Sequence, residues 1–267
     1  MSASPLFDAY IMVDWSAASR PVTGANAIWI AVLLPGEGGR DMLECTNPAT
    51  RAAAEAEIET RVKTLMTVGK NVLLGFDFAL GYPAGTAERL GLTTDLSPWA
   101  ATCSYLETHI HDGADNRNNR FALAADMNQA LSGMPHPFWG APKTQICATL
   151  AATKGDFNSQ ASLPEHRAAE AWIKSNYKAS PKSVWQLLGI GSVGSQSLLG
   201  IPRMNRLRRS LPNCRVWPFE TGLTAPIPNS EKGPHCIIAE IYPSTLDVSP
   251  QPQEIMDRAQ VRSLATR

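Results

Sequence analysis

The sequence predicts an α/β protein built on a mixed sheet, and three features of the chain lead to that prediction. Three apolar runs near the N-terminus are separated by turn residues. An amphipathic segment follows them, and a fourth apolar run comes directly after it. The first and fourth runs both end in an aspartate. Antiparallel strands joined by turns, followed by a helix that crosses over to a parallel strand, form a mixed sheet.

The N-terminal elements follow from the apolar pattern and the residues that interrupt it. The predicted strands are residues 10–14, 27–34, 41–46 and 71–77. Gly- and Pro-containing turns join the first three, so we expect an antiparallel meander. Residues 50–68 carry apolar side chains on one face and stop before Gly69, which predicts a helix with a glycine at its end.

The rest of the chain predicts an α-rich insertion followed by two strands and a final helix. We interpret residues 83–181 as a helical insertion within a single domain that covers residues 1–267. A basic helix over 195–211 is expected to be interrupted at residues 200–202, which read Gly-Ile-Pro. The other predicted elements are helices at 97–109, 119–131 and 166–177, strands at 214–219 and 236–242, and a helix that begins at residue 254.

Composition limits the classes of ligand and location. Apolar residues make up 44% and charged residues 18% of the 267 residues, as expected for a folded chain. Lys+Arg and Asp+Glu both number 24, so net charge provides no general attraction to nucleic acid or membrane. The five cysteines include no C-x-x-C spacing, and neither a secretory signal nor a long apolar run is visible. We therefore expect a cytoplasmic protein with no membrane contact, and the oligomeric state stays open.

Asp14 and Asp77 are the residues on which a chemical function would depend. Both end apolar strands, and sites in α/β sheets form outside the carboxyl ends of strands. Two neighbouring carboxylates are costly to ionise unless a cation neutralises them, and Mg²⁺ or Mn²⁺ would also bind substrate phosphate. The alternative is that each aspartate only caps a strand or belongs to a turn.

Six segments of the chain carry a resemblance to known proteins: VDWSAAS (13–19), GFDFALGYP (75–83), FWG (138–140), VWQLLGIGSVGSQSLLGIP (184–202), VWPFET (216–221) and AEIYPS (239–244). They resemble a family of uncharacterised bacterial proteins. That family is assigned to the ribonuclease H-like superfamily as predicted nucleases, and some members are labelled molybdopterin-guanine dinucleotide biosynthesis proteins. The resemblance implies a ribonuclease H-like mixed sheet, in which a three-stranded antiparallel meander is joined to parallel strands.

The resemblance also implies roles for acidic residues. Asp14 matches the acid of the first strand, and Asp77 looks like the acid of the strand after the first helix. Glu240 is the best match to a later acid, with Glu220 a weaker candidate. The superfamily often places a final acid on the last helix, where only Asp257 is available. The chain ends ten residues after it, which suggests that a C-terminal stretch is absent.

Candidate phosphate-binding residues lie near Asp14 and on the basic helix. The hydroxyl of Ser16 and the guanidinium groups of Arg203 and Arg206 are suited to phosphate contacts. The alternatives are a serine that bonds the backbone of its own turn and a solvated helix face. Residues 189–194 spell G-x-G-x-x-G but lack the following acid of a dinucleotide site, so we favour a close-packed turn. An alternative is that the backbone amides of this turn hold one substrate phosphate.

These observations lead to a metal-dependent phosphodiester or phosphate-ester hydrolase as the main hypothesis. Asp14, Asp77 and Glu240 would hold Mg²⁺ or Mn²⁺, and a metal-activated water would attack a phosphate-containing substrate, such as nucleic acid or a nucleotide. One alternative is a non-catalytic accessory protein that binds a nucleotide or pterin cofactor during cofactor biosynthesis. Another is a phosphotransferase, which would need paired phosphate-binding hairpins, and only the region after Asp14 offers one.

Overall fold

A computed structural model describes residues 5–36, 38, 40–92, 94–155, 163–225 and 233–266. The strands are β1 (Ala9–Asp14), β2 (Trp29–Leu34), β3 (Met42–Thr46), β4 (Val72–Phe76), β5 (Cys214–Val216) and β6 (Cys236–Glu240). The α-helices are α1 (Arg51–Thr67), α2 (Thr86–Arg89), α3 (Pro98–His109), α4 (Arg120–Leu131), α5 (Ala168–Asn176), α6 (Gly194–Ser210) and α7 (Met256–Ala265).

The chain divides into two compact units. The first consists of Met1–Asp77, Gly113–Asn116 and Arg206–Arg267, and the second of Phe78–Asp112 and Arg117–Asn205. The segment predicted as an insertion, 83–181, therefore belongs to the second unit except for Gly113–Asn116.

The first unit contains the mixed sheet, whose described strands lie in the order β3-β2-β1-β4-β6-β5. β1, β2 and β3 pair antiparallel, which confirms the predicted meander. β4 pairs parallel to β1, and β6 pairs parallel to both β4 and β5. The predicted α/β class with antiparallel and parallel strands in one sheet is confirmed.

Both faces of the sheet are covered, which explains why the central strands are apolar without alternation. α1 packs against β4, while α7 packs against β1 and β2. Met12 and Val261 lie in the core between the sheet and α7. Gly75 permits this packing, because a Cβ there would lie 2.6 Å from Ile241 Cγ2 and 2.7 Å from the Met12 sulfur.

The first helix has the boundaries that its sequence signals predict. The side chain of Thr50 accepts a hydrogen bond from Ala53 N–H and so caps α1. Gly69, with φ of +81°, takes up the left-handed conformation just after the helix. The predicted helices at 97–109, 119–131 and 166–177 correspond to α3, α4 and α5.

The predicted interruption of the basic helix at 200–202 is wrong. α6 is continuous from Gly194 to Ser210, although Pro202 lies inside it. Gly200 allows close packing and does not break the helix. A Cβ at this position would lie 2.3 Å from the ring of Phe78. At the start of α6, a Cβ on Gly194 would lie 2.5 Å from Val184 O, which agrees with a close-packed glycine turn at 189–194.

The last strands are shorter than their apolar runs. β5 ends at Val216 where residues up to 219 were expected, and Pro218 has no N–H for strand pairing. β6 ends at Glu240 and is followed by a short 3₁₀ turn at Pro243–Thr245. In the described part of the chain, no helix is both long enough and apolar enough to cross a bilayer.

Candidate carboxylate site

The sheet register brings Asp14 and Asp77 together. β1 and β4 are parallel neighbours, and Val13 lies opposite Phe76. The next residue of each strand is an aspartate, so the two carboxyl groups emerge side by side at the same edge. Because side chains alternate along a strand, both lie on the same face as Met12, which is the face that α7 covers.

A hydrogen bond joins the two carboxyl groups. Its effect raises the pKa of Asp14 and lowers that of Asp77, as expected when Asp14 donates and Asp77 accepts. The backbone N–H of Trp15 donates to Asp77 Oδ1 at 2.8 Å. The backbone N–H of Asp77 donates to Val13 O at 3.2 Å. Asp77 is therefore held in place from β1, whose last residue is its partner.

Burial and like charge raise the pKa of both groups. Burial is the largest cause for Asp14, followed by repulsion from Asp77, and the pKa of Asp14 lies well above its ordinary range. Burial raises the pKa of Asp77 to about 6, against the effect of the Trp15 N–H. Both carboxyl groups therefore stay protonated to a higher pH than isolated carboxyl groups do.

Asp257 is a third acid near the pair. It lies in the first turn of α7, and its charge raises the pKa of both Asp14 and Asp77. Its Oδ2 atom accepts a hydrogen bond from Asn26 N–H at 2.7 Å. Three acids that are far apart in the chain, two at strand ends and one on the last helix, therefore act on one another.

Glu240 and Glu220 are placed differently. Glu240 pairs in register with Phe76, so alternation puts it on the sheet face opposite to that of Asp77. Glu220 forms an ion pair with Arg208 and accepts a hydrogen bond from Val216 N–H at 2.9 Å. Of the three candidates for a further acid, Asp257 is the one whose charge raises the pKa of both aspartates.

The three predicted phosphate-binding side chains have partners within their own units. Ser16 donates to Asn26 O at 2.8 Å. Arg206 contacts both carboxylate oxygens of Glu55, at 2.8 and 3.1 Å. Arg203, which is buried, pairs with Asp112 at 2.6 Å and so stabilises the second unit.

Sequence reasoning missed Arg51, which is fully buried beside the loop that follows Asp14. Its guanidinium donates to Ser16 O at 3.1 Å and to Ala18 O at 2.7 Å. It also donates to Asn116 O at 2.9 Å, and thereby binds the Gly113–Asn116 segment to the first unit. An arginine at the start of a helix has no local pattern that would indicate this role.

The donor chemistry of the pair fits a hard divalent cation. Carboxylate oxygens are preferred ligands of Mg²⁺ and Mn²⁺, and a cation would offset the repulsion between Asp14 and Asp77. The rest of the site is less complete. In the ranges that the structure describes, no group of three or more His, Cys, Asp or Glu side chains is arranged to hold a metal ion.

Together, the sheet and its acids define an α/β protein with an aspartate pair at the carboxyl ends of two central parallel strands. Comparison with known proteins adds no relative: no family model, no curated protein and no solved structure matches the chain.

Proposed function

We propose that this protein is a metal-dependent hydrolase of phosphodiesters or phosphate esters with a ribonuclease H-like fold. The observation that carries the proposal is the Asp14–Asp77 pair, whose carboxyl groups lie side by side at the carboxyl ends of two parallel strands. Free cysteines agree with a cytoplasmic location.

The topology supports a ribonuclease H-like interpretation of the sheet. An antiparallel meander leads into α1 and then into a strand parallel to β1. The resemblance of the sequence implies acids on the first strand, on the strand after the first helix and on the last helix. Asp14 ends β1, Asp77 directly follows β4 and Asp257 lies in the first turn of α7, which supports this interpretation.

The side chains of the pair have distinct tasks in the proposed reaction. Asp14 and Asp77 would hold the cation, and Trp15 N–H keeps Asp77 oriented. Asp257 adds negative charge that strengthens cation binding. When bound, the cation supplies Lewis acidity toward a phosphate ester and the attacking water. Neither aspartate needs to form a covalent intermediate.

Calorimetric titration with Mn²⁺ tests the proposal. Wild-type protein should bind Mn²⁺ saturably, and Asp77→Asn should abolish binding because one of the two anionic ligands is lost. Asp247→Asn is the matched control, since Asp247 is an exposed carboxylate of the same unit and should leave binding unchanged. Absence of binding in wild type would contradict the proposal in this form.

The pH dependence of binding gives a second readout. The cation displaces a proton from a pair whose Asp77 has a pKa of about 6. Affinity for Mn²⁺ should therefore weaken as the pH falls through this range, by up to about tenfold per pH unit for one displaced proton.

Turnover decides between the main proposal and its alternative. Mn²⁺-dependent cleavage of single- or double-stranded DNA, RNA or a simple phosphate ester would support the hydrolase. Tight nucleotide or pterin binding that needs no Mn²⁺ and produces no turnover would instead support the accessory protein of cofactor biosynthesis. The measurement is product formation under the same conditions with wild type and Asp77→Asn.

A further inference from the structure

Two cysteines lie side by side on the last two strands of the sheet. Cys214 begins β5 and Cys236 begins β6, and the parallel register pairs them directly. The strands are close here, since Cys236 N–H donates to Asn213 O at 3.3 Å. Paired residues of neighbouring strands point to the same face, and the two thiols are within hydrogen-bonding reach of each other.

The spacing of the two strands is suitable for a disulfide. Paired strands lie about 4.7–4.9 Å apart, and disulfides join Cα atoms roughly 4.4–6.8 Å apart. A bond between Cys214 and Cys236 therefore requires rotation of the side chains and little movement of the backbone. Other cysteines have different surroundings: Cys45 pairs with Ala31 across β2 and β3, and Cys147 is exposed.

The two thiols differ in exposure, which sets an order of reaction. Cys236 is fully buried, whereas Cys214 is half-buried. A surface pocket of about 430 Å³ opens beside the start of both strands and is lined by Lys63, Met66, Thr67, Pro212, Asn213 and Pro234. Because Cys214 is partly exposed and Cys236 is fully buried, a small oxidant would meet Cys214 first.

We propose that Cys214 and Cys236 form a reversible disulfide when the protein meets a hydroperoxide. The Cys214 sulfur attacks the peroxide, the O–O bond breaks, and the products are Cys214 sulfenic acid and water or an alcohol. The Cys236 sulfur then attacks the Cys214 sulfur, and the S–O bond breaks as the S–S bond forms. The departing hydroxide takes the Cys236 proton and leaves as water. Each sulfur loses one electron, and the peroxide accepts both.

The site keeps Cys236 in its thiol form until Cys214 has reacted. Its hydrogen bond with Cys214 and its burial raise the pKa of Cys236. The resulting disulfide would link β6 covalently to β5, the short strand at one end of the strand order. It would therefore covalently secure β5, which among the described strands pairs with β6 alone.

Mass spectrometry of the full chain tests this inference. Purified protein is treated with hydrogen peroxide, free thiols are alkylated, and the chain is digested without reduction. The expected product is a peptide pair that links Cys214 to Cys236, is lighter by two hydrogen atoms than the separate peptides, and separates on treatment with dithiothreitol. Cys147→Ser should leave this product unchanged.

A Cys214→Ser variant provides the second arm. It should lose the linked peptide and leave Cys236 as an unmodified thiol, because Cys236 is buried. The inference would be overturned if wild type, under peroxide that oxidises Cys147, gave Cys214 as a free thiol, as sulfinic acid or linked to another cysteine. None of these outcomes depends on metal binding or on turnover.

Discussion

At the scale of single residues, the Asp14–Asp77 pair has an electrostatic cost that a cation would remove. The pKa of Asp77 is raised to about 6 from its ordinary 3.8, and that of Asp14 is raised as well. A group whose pKa is raised in the folded state binds more protons than in the unfolded state. Such a group leaves the free energy of unfolding unchanged at low pH. It lowers the free energy of unfolding as the pH rises through the raised pKa.

Asp77→Asn should therefore stabilise the metal-free protein in a pH-dependent way. The gain should be near zero at about pH 4 and on the order of 2 kcal/mol at about pH 8, because the variant removes a negative charge from a partly buried site. The measurement is urea unfolding at a series of pH values. Asp247→Asn is the control and should show no such trend, since its carboxylate is exposed. A loss of stability at pH 8 would show that Asp77 is chiefly structural.

Arg51 gives a prediction about stability at the same scale. Arg51→Lys should reduce the free energy of unfolding by about 2 kcal/mol or more, because a single ammonium cannot replace a planar guanidinium bound to three carbonyl groups. Arg20→Lys, at an exposed position of the neighbouring loop, is the matched control. Chemical denaturation measures both variants, and equal stabilities would contradict the role given to Arg51.

At the scale of elements, α6 shows that packing can override a local signal for a helix break. Gly-Ile-Pro normally ends or kinks a helix, yet the chain continues as a helix to Ser210. Leu198, Leu199 and Ile201 are fully buried. Burial of such side chains contributes roughly 1.5–3 kcal/mol each, which is enough to offset the hydrogen bond that Pro202 cannot make.

Gly200→Ala tests the close packing of α6. In an exposed helix this change would stabilise by up to about 1 kcal/mol. Here the new Cβ would lie 2.3 Å from the buried ring of Phe78, so we expect a net loss of about 1–3 kcal/mol. Gly155→Ala is the control, because a Cβ at Gly155 meets nothing within 4 Å. Thermal unfolding measures both, and a Gly200→Ala variant as stable as wild type would contradict the prediction.

At the scale of the whole molecule, the acidic and basic residues balance, so binding of a charged ligand would depend on local groups. Equal numbers of acidic and basic residues give no net attraction for a polyanion. Arg203 and Arg206 are already paired with Asp112 and Glu55. Binding of a phosphate-containing substrate would therefore depend on the carboxylate site and its cation more than on a general basic surface.

Cation binding should also appear in the global stability of the protein. A ligand that binds only the folded state adds about 3 kcal/mol at roughly 100 times its Kd. Mn²⁺ at such a concentration should raise the Tm of wild type by several degrees and leave that of Asp77→Asn unchanged. Scanning calorimetry with and without Mn²⁺ makes the comparison. An equal rise in both proteins would place the bound Mn²⁺ elsewhere.

Local patterns were sufficient to predict much of the fold. Apolar runs, turn residues and the Thr50 cap act over a few residues, so the strands, the meander and α1 could be predicted without tertiary information. The continuity of α6 could not, because it depends on burial against distant parts of the chain, such as the contact of Gly200 with Phe78.

By itself, the sequence determined the class of the sheet and the positions of Asp14 and Asp77 at two strand ends. Only the tertiary structure decided which acid joins them. Strand register turned Glu240 to the opposite face, and the packing of α7 brought Asp257 close. The apolar pattern of a strand is encoded in residues that are adjacent in the chain. The face of the sheet on which a side chain lies, and the distant residues that it meets, depend instead on strand pairing and on the helix that covers that face.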